Sequence, residues 1–333
     1  MGPPPKGLSR RKAMLLGAGA LAAPRIAGAQ GGTAPRYPDR AIRLIIPWTP
    51  GSSSDVQLRN LADLASRALG QTVVAENRAG AGGTLHAVTL AREARPDGYT
   101  IGQMHLSVVR RPYLVRAPQW DATTDFTHII GLTGWLYGVA VKADSPFRTF
   151  QDMIAHARAN PGKLSFATSG IATTNHLAME DIAARERVEF THVPFRGSSE
   201  GVTAVLSGNV DMIADSSTWA PQVEAGGMRA LCVWTEERVA RFPTVPTLKE
   251  LGYDMVVTSP YGISGPARMD PGVVRVLHDT LKAGLMSPEN TRVRGQFDMP
   301  LAYLDTEQYQ DFILRRAAYE REIVTRLGIR MDG

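Results

Sequence analysis

Two turns rich in hydroxyl groups and glycine are the segments of this sequence best suited to bind a ligand. The first, Pro50–Asp55, carries three consecutive serines and lies directly before a long helical pattern. The second, Thr168–His176, carries Ser169 and the adjacent pair Thr173 and Thr174, and it also precedes a helical pattern. Backbone N–H groups at a helix start lack acceptors and carry partial positive charge, and hydroxyl groups add further donors. One such turn is common, but two predict a cleft that holds one small anion from both sides.

Each of these features also has a structural interpretation. A serine or threonine at the start of a helix can simply cap it, with its neighbours facing water. Asp55 would be repelled by an anion, so it fits better as an acceptor for helix N–H groups, for water or for an ammonium group on the ligand. Arg196 follows a predicted strand that ends at Pro194, and it either supplies a cation or lies in solvent. Trp48 either walls the cleft or belongs to the core.

The candidate ligand-binding residues are those of the two turns, the neighbours Trp48 and Arg196, and one carboxylate that follows the predicted strand Val210–Ala214. We expect them to face a common cleft. They are Trp48, Gly51, Ser52, Ser53, Ser54, Asp55, Ser169, Gly170, Thr173, Thr174, Arg196 and Asp215.

The sequence offers little that would support catalysis. The seven histidines are scattered, with no metal-ligand spacing, and neither a G-x-S-x-G elbow nor a phosphate-binding G-x-x-x-x-G-K-[ST] motif occurs. Gly80–Gly83 has the wrong spacing for a dinucleotide loop. The single cysteine, Cys232, lies in an apolar run and is predicted to be a buried structural thiol. We therefore expect a protein that is not an enzyme and that uses no metal and no cofactor.

The elements that position these turns follow a repeated order of strand, turn and helix. Ile42–Pro47 predicts a strand buried on both faces, and the apolar stripe from Leu58 to Leu69 predicts a helix that Gly70 ends. A further helix is predicted from about Thr84 to Ala94. The same order restarts at Leu164–Thr168. This alternation predicts an α/β fold with doubly wound sheets, in which ligands bind at the carboxyl ends of the strands.

The length of the chain and two apolar runs predict two lobes. About 300 residues exceed the usual size of a single core. The runs Trp135–Val141 and Met255–Gly265 indicate strands that cross from one lobe to the other, with the last two helices returning to the first lobe. We predict two doubly wound sheets joined by two crossover strands. Lobe 1 comprises residues 30–133 and 258–333, and lobe 2 comprises residues 134–257.

The N-terminal segment has the pattern of an export signal. Ser9-Arg10-Arg11-Lys12 precedes the apolar stretch Ala13–Ala23, and Ala27-Gly28-Ala29 is typical of a cleavage site. The apolar stretch is too short to remain across a bilayer. A buried N-terminal helix is the alternative, but it requires neither a basic start nor an Ala-x-Ala end. We predict a signal peptide of the twin-arginine type at residues 1–29, with general Sec export as the other route, and a mature chain in the periplasm.

The signal also accounts for the charge of the chain. The full sequence has a formal net charge of +5, and residues 1–29 hold five basic residues and no acidic one. The mature chain therefore has no net formal charge. Charge gives no reason to expect nucleic acid or an anionic membrane as a partner.

Several segments, taken in chain order, resemble the Bug-type substrate-binding receptors of tripartite tricarboxylate transporters. In the first half of the chain the matching segments are Tyr37–Arg43, Pro47–Gly51 through Asp55, Leu69–Gln71, Glu76–Gly83 and Pro96–Thr100. In the second half they are Ser169-Gly170, His176-Leu177, His192–Gly197 and Pro243–Gly252. The resemblance covers residues 37–330 approximately, and it depends on the number and order of motifs that are each short.

The resemblance implies a two-lobed periplasmic binding protein of the type II-like class that closes on a small organic carboxylate. In such receptors main-chain N–H and hydroxyl groups of two turns hold the ligand carboxylate, often with bound water. By position these turns are Trp48–Asp55 and Ser169–Thr174. The implied partner is a membrane permease of two subunits, and we expect the receptor to be a monomer.

The chain departs from the family pattern at three places. The usual Gly-Gly of the first turn is Gly51-Ser52, and the second glycine of Ser-Gly-x-Gly is Ala172. Ser259–Gly262 stands where the family commonly has a tryptophan before a glycine. These changes leave the ligand open among aspartate, glutamate, tricarboxylates, nicotinate-like acids and aromatic acids.

Two other functions are compatible with the same fold. A receptor of this kind can report its ligand to a membrane sensor instead of delivering it to a permease. An enzyme built on the two-lobed scaffold is the third possibility, because a fold alone does not determine function.

Overall fold

A computed structural model of the chain describes residues 1–2, 37–327 and 330–331. The predicted signal peptide at residues 1–29 lies outside the described residues, apart from the first two. The strands are β1 (Ile42–Ile46), β2 (Val73–Asn77), β3 (Thr100–His105), β4 (Phe126–Trp135), β5 (Tyr137–Lys142), β6 (Ser165–Thr168), β7 (Thr191–Pro194), β8 (Met212–Ser216), β9 (Met228–Val233), β10 (Ser259–Pro266) and β11 (Leu301–Leu304). The helices are α1 (Ser53–Leu69), α2 (Leu85–Val88), α3 (Leu106–Leu114), α4 (Phe150–Ala159), α5 (Thr174–Glu186), α6 (Ser198–Leu206), α7 (Ala220–Glu224), α8 (Pro271–Leu285), α9 (Pro288–Gly295) and α10 (Thr306–Leu327).

The strands form two sheets, which define the two lobes. The sheet of lobe 1 has six strands in the order β11-β4-β10-β3-β1-β2, and that of lobe 2 has five in the order β7-β6-β8-β5-β9. In lobe 1, β1 pairs in parallel with β2 and β3, and in lobe 2, β6 pairs in parallel with β7 and β8. This arrangement confirms the predicted two-lobed α/β fold.

The strands next to the crossings run against their neighbours, so both sheets are mixed. The chain passes from β4 in lobe 1 to β5 in lobe 2 through Leu136 alone, and it returns through residues 234–258 into β10. β10 is antiparallel to β3 and β4, and β5 is antiparallel to β8 and β9. The carboxyl ends of β1, β6 and β8 lead into the turns that form the site.

Helix α1 shows why the first turn is held firmly. One apolar face buries Leu58 and Leu61 against the sheet of lobe 1, as the spacing predicts. Gly70 ends the helix in the left-handed region, with φ of 65°, and its N–H donates to the carbonyl of Ser66. The turn before α1 is therefore anchored to a rigid element.

The helix predicted over residues 84–94 is confirmed, with α2 continuing directly into a π-helical turn. A short 3₁₀ turn at Ala81–Gly83 leads into α2, and a wide π-type turn follows at Thr89–Glu93. Gly82 and Gly83 both adopt positive φ, at 63° and 80°, so the helix does not extend back before Thr84. The loop at Gly82 reaches the other lobe.

The remaining expectations about packing are confirmed. Helix α8 packs on α1 and β4, and α10 packs on α3 and β4, so the last helices return to lobe 1. Cys232 is a buried free thiol. Within the described ranges, no helix has both the length and the apolar character needed to cross a membrane.

Candidate ligand-binding site

A cavity lies where the carboxyl ends of strands from both lobes meet. The space between its lining atoms is about 340 Å³ when the open mouth is counted, and the enclosed part has room for about one water molecule, as in a closed cleft without ligand. Lobe 1 and the crossover strands contribute Trp48, Ser52, Ser54, His105, Ser107, Trp135, Tyr137 and Ser259. Lobe 2 contributes Ser169, Thr173, Thr174, Asn175, Ser198, Asp215 and Ser216. The lining is thus dominated by hydroxyl groups and aromatic rings.

The first turn presents three polar groups to this cavity with their hydrogen-bonding capacity unused. Trp48 Nε1, Ser52 Oγ and Ser54 Oγ are buried and have no hydrogen-bond partner among the residues that the structure describes. Ser52 occupies the N-cap position of α1, but its side chain makes no capping bond. The capping interpretation of this serine is therefore wrong, and its hydroxyl remains available to a ligand.

The indole of Trp48 is held in place by its surroundings. Its ring centroid lies 4.9 Å from that of His105 and 5.8 Å, edge to face, from that of Trp135. A Cβ on Gly83 would come within 2.6 Å of the indole, so only glycine allows this approach. His105 Nε2 donates to the carbonyl of Gly83 at 3.0 Å, and burial lowers the pKa of His105 to about 3. This histidine is neutral and structural at neutral pH.

Asp55 shapes the first turn and does not line the cavity. Its carboxylate accepts from the N–H of Gly51 at 2.9 Å, from Arg59 at 2.9 Å and from the amide of Asn77 at 2.7 Å. Asn77 in turn donates to the carbonyl of Trp48. Gly51 is exposed with φ of 80°, and its N–H is used in this network. Neither residue is placed to contact a ligand in the cavity.

Ser53 joins the two lobes directly. Its N–H donates to Thr218 Oγ1 at 3.0 Å, and its hydroxyl lies 3.4 Å from that of Ser216. A second link joins Thr49 Oγ1 to Ser199 Oγ at 2.7 Å. Gly197 makes this second link possible, since a Cβ there would lie 2.2 Å from Thr49 Oγ1. The lobes are therefore closed on each other beside the cavity.

The polar groups of the second turn mainly form hydrogen bonds with other groups of the same turn. Thr168 Oγ1 accepts from the N–H of Gly170 at 3.2 Å, and Thr173 Oγ1 donates to the carbonyl of Gly170 at 2.8 Å. Thr173 occupies the N-cap of α5 without a capping bond. Gly170 itself, with φ of 135°, packs against Gly82 of lobe 1 and is absent from the cavity lining. Ser169, Thr173 and Thr174 do line it.

A buried ion pair fastens the second turn to lobe 1. Arg110 on α3 pairs with Glu320 on α10 at 2.6 Å, and both side chains are almost fully buried. The same guanidinium donates to the carbonyl of Ala172 at 2.9 Å and lies 3.4 Å from the hydroxyl of Thr174. Arg110 therefore holds the two lobes together through the turn that faces the cavity.

Of the charged residues predicted for the site, Asp215 does line the cavity. It lies in β8, and its Oδ1 accepts from the N–H of Ser216 at 2.6 Å. Its Oδ2 has no partner within the described part of the chain. Burial raises the pKa of Asp215 to about 6, although the neighbouring Ser216 and Ser169 act in the opposite direction.

Arg196 is not brought to the cavity. Its side chain is 71% exposed and pairs with Glu200 one helical turn away at 2.7 Å. It therefore lies in solvent, which was the alternative interpretation, and gives the site no cation.

The sequence predictions missed the residues of the crossover strands. Trp135, Tyr137 and Ser259 line the cavity because the crossings pass directly behind it. The sequence predicts both runs as crossover strands. Because a crossover strand passes between the lobes, its position is the signal that could have identified these lining residues. His105 and Ser107 lie where β3 leads into α3, a junction with no glycine to mark it.

Among the described residues, no group of three or more His, Cys, Asp or Glu side chains is placed to hold a metal ion. The polar groups of the cavity lining are mainly hydroxyls, with the side chains of Trp48, Trp135, His105 and Asn175 and the carboxylate of Asp215. Such a set is suited to binding a small polar solute.

Comparison with known proteins identifies the kind of receptor. Residues 57–329 match the family described as "Tripartite tricarboxylate transporter family receptor". The chain belongs to this receptor family. It is 45% identical over 296 residues to a UPF0065 protein of Cupriavidus necator, covering 89% of this chain and 90% of that one.

Solved structures of similar receptors agree with the family. The periplasmic binding protein BugD superposes with a TM-score of 0.83 at 28% identity, over 88% of this chain and 99% of that one. A protein of R. palustris solved with adipate gives a TM-score of 0.81 at 27% identity, over 88% of this chain and 99% of that one. The predicted resemblance to Bug-type receptors is thereby confirmed, and the chain is a solute-binding receptor of the two-lobed fold.

Proposed function

We propose that this receptor is exported to the periplasm, binds a small organic carboxylate in the cavity between its lobes, and delivers it to a tripartite tricarboxylate-type permease of two membrane subunits. The observation that carries the proposal is the set of unpartnered donors on the first turn. Removing a buried polar group from water without a new partner is unfavourable by about 1–3 kcal/mol, so these groups are matched to a ligand that accepts hydrogen bonds. A carboxylate is such a ligand.

The proposed binding step is a hinge closure. The lobes divide at the β4–β5 connection, which follows Trp135, and at residues 234–258, close to the predicted bounds of 134–257 for lobe 2. The direct links from Ser53 to Thr218 and from Arg110 to Ala172 describe the closed arrangement. Opening would expose the donors of Trp48, Ser52 and Ser54, and closing around a carboxylate would satisfy them.

The binding site is tested by identifying what the protein holds. The mature protein is purified from the cells that naturally make it, unfolded, and the released solutes are identified by mass spectrometry. A thermal-shift series then compares each acid found with its neutral amide. We expect a rise in melting temperature with the acid and none with the amide, because ligand at a hundred-fold excess over its Kd stabilises by about 2.7 kcal/mol. Equal responses to acid and amide would contradict the carboxylate site.

The delivery step is tested in cells. A strain that lacks this chain should lose uptake of the identified acid, and the wild-type chain should restore it. Replacing both Arg10 and Arg11 by lysine should leave the precursor in the cytoplasm and fail to restore uptake. Uptake that persists without the chain, together with loss of a transcriptional response to the acid, would instead favour a receptor that signals to a membrane sensor.

A further inference from the structure

One buried carboxylate in the cavity is not explained by the binding of an anion. Asp215 is 2% exposed, and its Oδ2 has no hydrogen-bond partner among the residues described. The unpartnered donors Trp48 Nε1, Ser52 Oγ and Ser54 Oγ line the same cavity. An indole N–H only donates, hydroxyls can donate, and an ionised carboxylate only accepts. A solute that satisfies all four must present both acceptors and a donor.

The charge of the cavity decides which donor fits. Within the described lining there is no Lys or Arg, and burial keeps His105 neutral. The nearby Arg110 is already engaged with Glu320 and with the carbonyl of Ala172. A carboxylate solute would add a second negative charge beside Asp215, and buried charges need an opposite partner. A positive charge on the solute itself supplies that partner.

We propose that the solute is an amino acid, whose carboxylate takes the donors of the first turn and whose ammonium group pairs with Asp215 of lobe 2. This inference rests on the proposed function, and it narrows the ligand from organic acids in general to those with a protonated amine. It also gives closure a chemical basis, because the two charged ends of one small zwitterion would engage opposite lobes. Asp215 is then the residue that determines specificity.

The test uses matched acids that differ at one position. Aspartate, malate and succinate form one series, alanine, lactate and propionate a second, and phenylalanine, phenyllactate and phenylpropionate a third. Affinities are measured by calorimetry on the mature wild-type protein at pH 7. We expect the amino acid of the series that binds to exceed its 2-hydroxy and unsubstituted counterparts by about ten- to a hundred-fold, as for a hydrogen bond to a charged group.

The variant Asp215→Asn tests the role of the carboxylate. It should lose about ten- to a hundred-fold in affinity for the amino acid and keep the affinity for the hydroxy acid, so that the preference disappears. The exposed Asp144→Asn, also in lobe 2, serves as the matched control and should change neither. Melting temperatures of all three proteins establish that they are folded, and the wild-type ligand series is decisive even if the variant is not.

The outcomes separate this inference from the function on which it rests. A hydroxy or unsubstituted acid that binds as tightly as the amino acid, or a released native solute with a carboxylate and no amine, would overturn the inference alone. A released native solute that has no carboxylate would overturn the proposed function. An unchanged preference in a folded Asp215→Asn would show that the ammonium group is held elsewhere.

Discussion

The two turns that face the cavity have similar compositions and opposite uses of their hydroxyl groups. In the first turn, the hydroxyls of Ser52 and Ser54 have no partner among the described residues. In the second turn, the hydroxyl of Thr173 is bonded within its own loop, and that of Thr174 lies beside Arg110 of the other lobe. Asp55 and Asn77 hydrogen-bond to the backbone of the first turn from outside the cavity. The hydroxyls of Ser52 and Ser54 are therefore not needed to hold the turn in shape.

This contrast separates two roles that the sequence alone does not distinguish. Hydroxyls bonded within the protein stabilise the fold by about 0.5–1.5 kcal/mol each, whereas buried hydroxyls without a partner reduce its stability until a ligand satisfies them. The first turn is therefore the main source of donors for the ligand, and the second turn sets the shape of the cavity and joins the lobes. Each prediction below tests one side of this division, beginning with the largest effect.

Removing the guanidinium that fastens the second turn should have the largest effect on stability. Arg110→Met leaves Glu320 buried with Arg316 as its remaining charged partner among the described residues, and breaking a buried pair typically costs about 3–5 kcal/mol. Urea denaturation of the ligand-free protein measures this loss. Arg316→Met is the matched control, because Arg316 is more exposed, and it should cost less than about 1 kcal/mol. Similar losses for the two variants would contradict the role assigned to Arg110.

Asp215→Asn should stabilise the ligand-free protein at pH 7. Because burial raises the pKa of Asp215 from 3.8 to about 6, the folded state binds a proton more tightly than the unfolded state does. The contribution of Asp215 to the free energy of unfolding is fully present below pH 4 and is lost as the pH rises through 6. The total loss is at most about 3 kcal/mol.

The measurement is the difference in unfolding free energy between wild type and Asp215→Asn at several pH values. It should be near zero at pH 4 and reach its maximum above pH 6. His86 and His105, whose pKa values burial lowers to about 4 and about 3, destabilise both proteins alike as the pH falls below 6.5. A difference that stays constant with pH would show that Asp215 does not titrate in this way.

Ser54→Ala should weaken ligand binding without weakening the fold. Its hydroxyl has no partner within the described residues, so its removal takes nothing from the ligand-free protein. Loss of a hydrogen bond to a charged ligand lowers affinity by about 1.5–3 kcal/mol, which is ten- to a hundred-fold. Calorimetry and thermal melting of the same samples measure the two effects, and a lower melting temperature with unchanged affinity would reverse the assignment.

Thr173→Ala should show the opposite pattern on the other side of the cavity. It removes the 2.8 Å bond to the carbonyl of Gly170, so we expect a loss of about 1 kcal/mol in stability. Thr173→Ser keeps the hydroxyl and is the control. The loss of affinity should be smaller than that of Ser54→Ala, and an equal loss would place Thr173 among the ligand donors.

The smallest effect concerns the backbone of the second turn. Ala172 has φ of 58°, a left-handed conformation that disfavours residues with a Cβ. Ala172→Gly should therefore stabilise the protein by less than about 1 kcal/mol, since relief of strain exceeds the added entropy of the unfolded chain. The control is Ala184→Gly on the exposed face of α5, which should destabilise by about 0.5–1 kcal/mol. If Ala172→Gly lowers the denaturation midpoint as Ala184→Gly does, Ala172 is not strained.

The sequence by itself determined the order of the elements and the place of the two turns. Apolar runs such as Ile42–Ile46 and the stripe along α1 are local patterns, and burial follows them because each element must cover its apolar face. Glycine punctuation gave the end of α1 correctly. It also preceded the second predicted helix correctly, since consecutive positive φ values at Gly82 and Gly83 keep this loop out of the helix and against the other lobe.

Only the tertiary structure decided which hydroxyls and charges are free. Ser52, Ser53 and Ser54 are identical in type, yet one of them bonds across the lobes and two line the cavity. Ser52 precedes α1 in an extended conformation, and the helix turns Ser54 by about 100° from Ser53. Arg196 and Arg110 are likewise the same residue type, one in solvent beside Glu200 and the other buried between the lobes. Partners for these groups come from positions far away in the chain, and a local pattern carries no information about contacts that form only when distant strands are brought together.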